Sequence, residues 1–106
     1  MSGPEQPKVI GEEWSDERVK GFLFISPYDA RINADYNALL KAYQAMRAGD
    51  FERFIAFFKE VGRDLNAMGP DGETILDHVS EHRRSVEYVS ALRAAGAKKA
   101  AELERA

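Results

Sequence analysis

Residues 51–61 set the tightest constraint on the fold. They read FERFIAFFKEV, and Phe51, Phe54, Ile55, Phe57, Phe58 and Val61 are spread around much of a helical circumference. A helix this apolar is buried between other elements rather than laid on a surface. Its limits are marked by glycines. Gly62 follows it, and Gly49-Asp50 precedes it. That pattern predicts Gly49 as the residue closing an earlier helix and Asp50 as the N-cap of this one.

The earlier helix is predicted over 34–48, where Tyr36, Leu39, Leu40, Tyr43 and Met46 recur at the 3.6-residue period. Before it, SPYDARIN at 26–33 reads as a connection rich in turn formers. A short N-terminal helix is expected to start at Ser15, whose hydroxyl can cap it. Asp16 and Glu17 suit the positive end of its dipole. Trp14 and Val19 take the two positions of a hydrophobic staple, a commoner role for such a tryptophan than a ligand platform. This helix carries Val19, Phe22 and Leu23 on one face and ends before Pro27. Residues 1–13, MSGPEQPKVIGEE, have no apolar periodicity and read as a disordered tail.

Downstream, DLNAMGPDGETILD at 64–77 crowds acidic and amide side chains around two glycines. As a calcium loop it fails. The fifth position would be Met68 and the twelfth Ile75, where calcium requires oxygen ligands and a bidentate carboxylate. As a joint between helices it works. Gly69-Pro70-Asp71-Gly72 is a turn, and Thr74 with Asp77 forms a capping box at the start of a helix over 75–82. Arg83-Arg84 connects to a helix over 85–95 bearing Val86, Val89 and Leu92, which Gly96 ends. The tail 97–106 has helix-forming residues and one large apolar side chain, Leu103, which fits a frayed final helix. No strand is indicated. The expected fold is all-α, one domain over 14–106 after the tail.

Composition narrows the function. The 106 residues carry 18 acids and 15 lysines or arginines, interleaved, for a net charge of −3. No basic stripe supports nucleic-acid binding. There is no cysteine, which excludes disulfides and thiolate chemistry and fits a reducing compartment. The apolar run Phe22-Leu23-Phe24-Ile25 is too short for a signal or membrane segment, so a soluble cytoplasmic chain is expected. No phosphate loop or catalytic triad pattern occurs.

The run Gly62-Arg63-Asp64-Leu65-Asn66-Ala67 through Asp71-Gly72-Glu73-Thr74-Ile75-Leu76 resembles the junction of ankyrin repeats, G-A-D-V-N-A-x-D-x-D-G-x-T-P-L. Upstream, Ala45-Met46-Arg47-Ala48-Gly49-Asp50 is similar to that family's link between the helices of one repeat, and Ala95-Gly96-Ala97 to the close of the next. Ile32-Asn33-Ala34-Asp35 faintly echoes V-N-A-D. Gly62 and Gly96 stand 34 apart, near the ankyrin period of about 33. The resemblance covers 36–97. It departs from the family at Ile75 for the proline, Asp77 for the histidine and Arg83-Arg84-Ser85 for the inter-helix glycine and histidine. It implies a short helical solenoid of antiparallel helix pairs, with the N-terminal helix capping one open end. Separately, KVIGEEWSDERVKGFL is similar to the start of a small family of uncharacterised bacterial proteins, which implies no activity.

One pattern invites an enzymatic reading. His78-Val79-Ser80-Glu81-His82 matches H-x-x-E-H, in which two histidines on one helix face hold zinc beside a glutamate base. A third ligand and a cleft are not indicated, so neither a metal, a cofactor nor catalysis is expected; a metal-binding protein that uses the His pair is the minor alternative. The ankyrin resemblance implies recognition instead. Its concave face would hold Gln44, Arg47, His78, Glu81 and His82, and its finger turn Met68 and Glu73. The expected function is a monomeric, non-catalytic module that binds a protein or peptide, and neither nucleic acid nor membrane. The alternative is an accessory protein that recognises its partner through the segment 1–13.

Overall fold

The computed structural model describes residues 14–27, 29 and 31–104. The predicted tail 1–13 lies outside them. Six α-helices follow in order: α1 (Asp16–Gly21), α2 (Ala34–Ala45), α3 (Ala48–Glu60), α4 (Ile75–Ser80), α5 (Val86–Ala94) and α6 (Ala100–Glu104). A 3-10 turn, Phe22–Phe24, extends α1. Among the described residues no strand forms, and a single antiparallel bridge joins Met68 to Thr74. The chain is all-α.

α3 lies at the centre, with α1, α2 and α5 packed on it. Phe51, Phe54 and Phe58 are wholly buried and Ile55 nearly so. Phe57 is half-buried under the Lys20 ammonium, 4.7 Å from its ring centre, and Val61 is exposed. Leu39, Ile75, Leu76, Val79 and Leu92 complete the core from the other helices.

The start of α3 differs from expectation. Gly49 and Asp50 lie inside the helix, which begins at Ala48 after an N-cap, Arg47, that makes no side-chain cap bond. The break falls at Met46 and Arg47, whose ψ angles are 151° and 164°. α2 therefore stops at Ala45. Two contacts hold this arrangement. The Met46 carbonyl accepts the Tyr88 hydroxyl at 2.5 Å. Asp50, third in the helix and 4% exposed, accepts from the Trp14 N–H at 3.4 Å and Arg53 Nη1 at 3.1 Å. Arg53 also donates to the Trp14 carbonyl at 2.8 Å and pairs with Asp16. The acid thus clamps the entry of α1 onto α3 instead of capping α3. Ser15 caps α1 as expected, its Oγ accepting from the Arg18 N–H. The staple residues pack inward, Val19 fully and Trp14 partly, against the core.

The joint between α3 and α4 follows local chemistry. The Gly72 N–H closes the turn onto the Gly69 carbonyl at 3.0 Å, with Gly72 at φ +75°. Gly69 is required by its neighbour rather than by its own dihedral. A Cβ there would sit 2.6 Å from the Tyr36 ring, which is itself buried. The capping box is present: Thr74 Oγ1 accepts from the Asp77 N–H, and Asp77 Oδ2 from the Thr74 N–H.

α3 and α5 end alike. Gly62 and Gly96 both have positive φ. The N–H after each reaches the carbonyl five residues back, Arg63 to Phe58 at 3.2 Å and Ala97 to Leu92 at 2.9 Å. This is the Schellman closure that needs a left-handed residue. Beyond it the chain returns to the finger. The Lys98 N–H donates to Asn66 Oδ1, Thr74 Oγ1 to the Lys98 carbonyl, and the Ala100 N–H to Asp77 Oδ2.

Candidate functional site on the face of α2 and α4

α2 packs beside α4, which brings together four rings that sequence separates. Tyr43 comes from α2, His78 from α4, Tyr88 from α5, and His82 from the turn after α4. The Tyr43 hydroxyl lies 2.6 Å from His82 Nδ1, with the two rings nearly parallel and their centres 5.6 Å apart. Tyr88 meets Tyr43 edge-on at 5.0 Å. His78 stands perpendicular to both Tyr43 and His82, at 6.1 and 5.1 Å. Beneath them Phe51 contacts both tyrosines, at 6.1 and 5.4 Å. The cluster is thus seated on the core and reaches the surface at His82, which is exposed.

Local electrostatics follow from this packing. His78 Nδ1 lies 3.3 Å from Glu73 Oε2, joining α4 to the base of the finger. Burial pushes the Tyr88 phenol above its ordinary range, and the neighbouring Tyr43 adds to the effect. Tyr36, against the finger turn, is pushed up to about 12, first by burial and then by the carboxylates of Glu73 and Asp71.

This shift has a measurable consequence. The folded protein keeps the Tyr36 proton at a pH where the unfolded chain, near the ordinary value of 10.0, has lost it. The contribution of this group is therefore complete below pH ~10 and falls as pH rises toward ~12, by up to about 2–3 kcal/mol. Urea unfolding at pH 9 and 11 is expected to show the loss, and Tyr36→Phe to reduce it. An equal alkaline loss in both proteins would place the effect elsewhere.

The predicted site residues divide into two groups. His78 and His82 are drawn together around Tyr43, and Glu73 joins them through His78. Gln44, Arg47 and Glu81 are exposed, and Met68 stands 39% exposed on the finger. Among the described residues no hydrogen bond or ion pair links these four side chains to the rings. The helical placement of His82 needs correction. α4 ends at Ser80 with Glu81 as its C-cap, so His82 follows a tighter turn, its N–H bonded to the Val79 carbonyl at 3.0 Å. The two histidines therefore do not present the one-helix chelate that H-x-x-E-H requires. Each already has Nδ1 beside an oxygen, and among the described residues no three metal-binding side chains converge. Sequence reasoning placed Tyr43 only in the apolar stripe of its helix and passed over Tyr88. The fact that both are tyrosines within apolar periodicity was the available signal, since a buried phenol needs a partner for its hydroxyl.

Comparison of the chain with protein families, with curated proteins and with solved structures yields no match. Among the described residues no helix is long and apolar enough to cross a membrane.

Proposed function

We propose that this chain is a non-catalytic recognition module, and that the face formed by α2, α4 and the finger turn binds a protein or peptide. The observation that carries the reading is the ring cluster. Tyrosine and imidazole side chains fixed against a phenylalanine core provide a rigid, amphipathic surface at little entropic cost, the kind that dominates binding energy at interfaces. Around it Gln44, Arg47 and Glu81 are exposed and Met68 projects from the finger.

The finer architecture in this reading is a short ankyrin-like solenoid, with α2–α3 and α4–α5 as successive antiparallel pairs and α1 as cap. Three features support it: matching Schellman closures 34 residues apart, the bridged finger turn between the pairs, and the capping box at Thr74. Two pairs bury less than the three repeats that solenoids usually need, and the clamp of Asp50 and Arg53 on Trp14 gives α1 the covering role.

The test is affinity capture from the native cell extract. Wild type is compared with a variant carrying alanine at Gln44, Arg47, His78, Glu81 and His82, after circular dichroism shows both folded. A partner retained by wild type and lost by the variant is the expected result. Equal capture of one partner by both would reject this face and move recognition to the segment 1–13.

A further inference from the structure

α5 carries a second surface, which meets the ring cluster at His82. Val86, Ser90 and Arg93 form an exposed stripe of α5 turned away from Tyr88 and Leu92, and Val89, packed partly on the core, borders it. They line a groove of about 440 Å³ that continues past the turn after α4 to Arg83 and His82. A groove of this size suits one short segment of a ligand. Its lining sets Val86 and Val89 among three serines, and Val86 is 72% exposed.

Charge indicates the occupant. The chain as a whole has an excess of acids, 18 against 15 bases. The groove reverses this balance, since its lining includes two arginines and a histidine but no carboxylate. Among the described residues Arg83 forms no ion pair. Arg93 is held by a carboxylate of the chain itself, its Nη1 lying 2.7 Å from Glu102 Oε1 of α6. Glu102 is thereby kept well below the usual carboxylate range, at about 2, first by Arg93 and then by the Lys99 N–H. A carboxylate of the chain thus already holds Arg93, the partner that an acidic ligand would contest.

We propose that this groove docks an acidic peptide segment of a partner, with an apolar side chain on Val86 and Val89 and flanking carboxylates on Arg83 and Arg93. A nucleic acid requires an array of phosphate contacts, and two guanidinium groups beside two valines do not supply one. His82 borders both surfaces, and the variants that test this one leave Gln44, Arg47, His78, Glu81 and His82 intact.

The probe is a fluorescein-labelled helical peptide rich in leucine and glutamate, with a leucine–lysine peptide of equal length as control. Anisotropy is measured on the full chain at low and moderate salt. The acidic peptide is expected to bind and to weaken as salt rises, while the basic one does not bind. Val86→Glu and Arg83→Glu, both at exposed positions, should each lower affinity by about fivefold or more. Glu102→Gln keeps an oxygen for the Lys99 N–H while freeing Arg93 from its charged partner, and should tighten binding about two- to threefold. No binding of the acidic peptide up to its solubility limit would overturn the proposal. So would equal binding of the basic peptide, or weaker binding by Glu102→Gln. Amide shifts confined to residues outside α5 and the preceding turn would reject the location.

Discussion

Replacing Phe54 by alanine is expected to lower the free energy of unfolding by about 3–5 kcal/mol. Phe54 is wholly buried in the middle of α3, stacked against Phe51 at 6.5 Å and tilted against Phe58 at 5.7 Å. Because α1, α2 and α5 all pack on this helix, the space left by the ring borders several elements that cannot close on it together. Domains of this kind hold about 5–15 kcal/mol in total, so the variant should populate unfolded chain at temperatures where wild type does not. Urea unfolding followed by circular dichroism measures the loss. Val61→Ala, at an exposed position of the same segment, should cost under about 0.5 kcal/mol. Similar losses at both positions would refute the central placement of α3.

Asp77→Ala is expected to cost about 2–4 kcal/mol, more than an ordinary helix cap. Its Oδ2 accepts from the Thr74 N–H at 3.0 Å and the Ala100 N–H at 2.8 Å, and lies 3.2 Å from Thr74 Oγ1. Thr74 is fully buried, so the alanine variant leaves its N–H without water or partner. The acid dependence follows with a definite sign. Partial burial pushes the carboxyl up, but the donors of Ala100 and Thr74 outweigh it and hold the group below its ordinary 3.8. The stabilisation is therefore present above that value and is lost as pH falls through the lowered one. Unfolding measured at pH 7 and pH 3 should show a smaller acid loss in Asp77→Ala than in wild type. An unchanged acid profile would show that Asp77 is not the group responsible.

How much of this was legible in sequence depended on distance along the chain. The turn at Gly69–Gly72, the capping box of Thr74 and Asp77, and the stops at Gly62 and Gly96 are settled by neighbouring residues, and each forms as read. The burial of Phe51, Phe54 and Phe58 was legible because six apolar positions in residues 51–61 leave few alternatives to it. The break at Met46 and Arg47 was not. Both residues favour helix, and Gly49-Asp50 offered a more conventional boundary three residues later. What decides the position is the Tyr88 hydroxyl on the Met46 carbonyl, from 42 residues away, and the engagement of Asp50 with Trp14, from 36. The end of α4 was overrun by two residues for a related reason. Ser85 is buried with its Oγ 2.6 Å from the carbonyls of both Val79 and His82, which draws the chain into a turn. The ring cluster was half legible. The histidines stood out, but their approach to Tyr43 depends on how α2 lies beside α4, and no local pattern encodes that.

The return of the chain to the finger after Gly96 bears on how the molecule opens. The amides of Lys98 and Ala100 bond to side-chain oxygens of Asn66 and Asp77, 32 and 23 residues earlier. Their release needs Asn66 and Asp77 to rotate and the Thr74 hydroxyl to leave the Lys98 carbonyl, at the cost of the Thr74 cap but without breaking any helical ladder. Their exchange with deuterium therefore times the detachment of the C-terminal segment alone, while the amides of α3 time the loss of the whole fold. The two rates separate a local event, which leaves both helix pairs intact, from a global one.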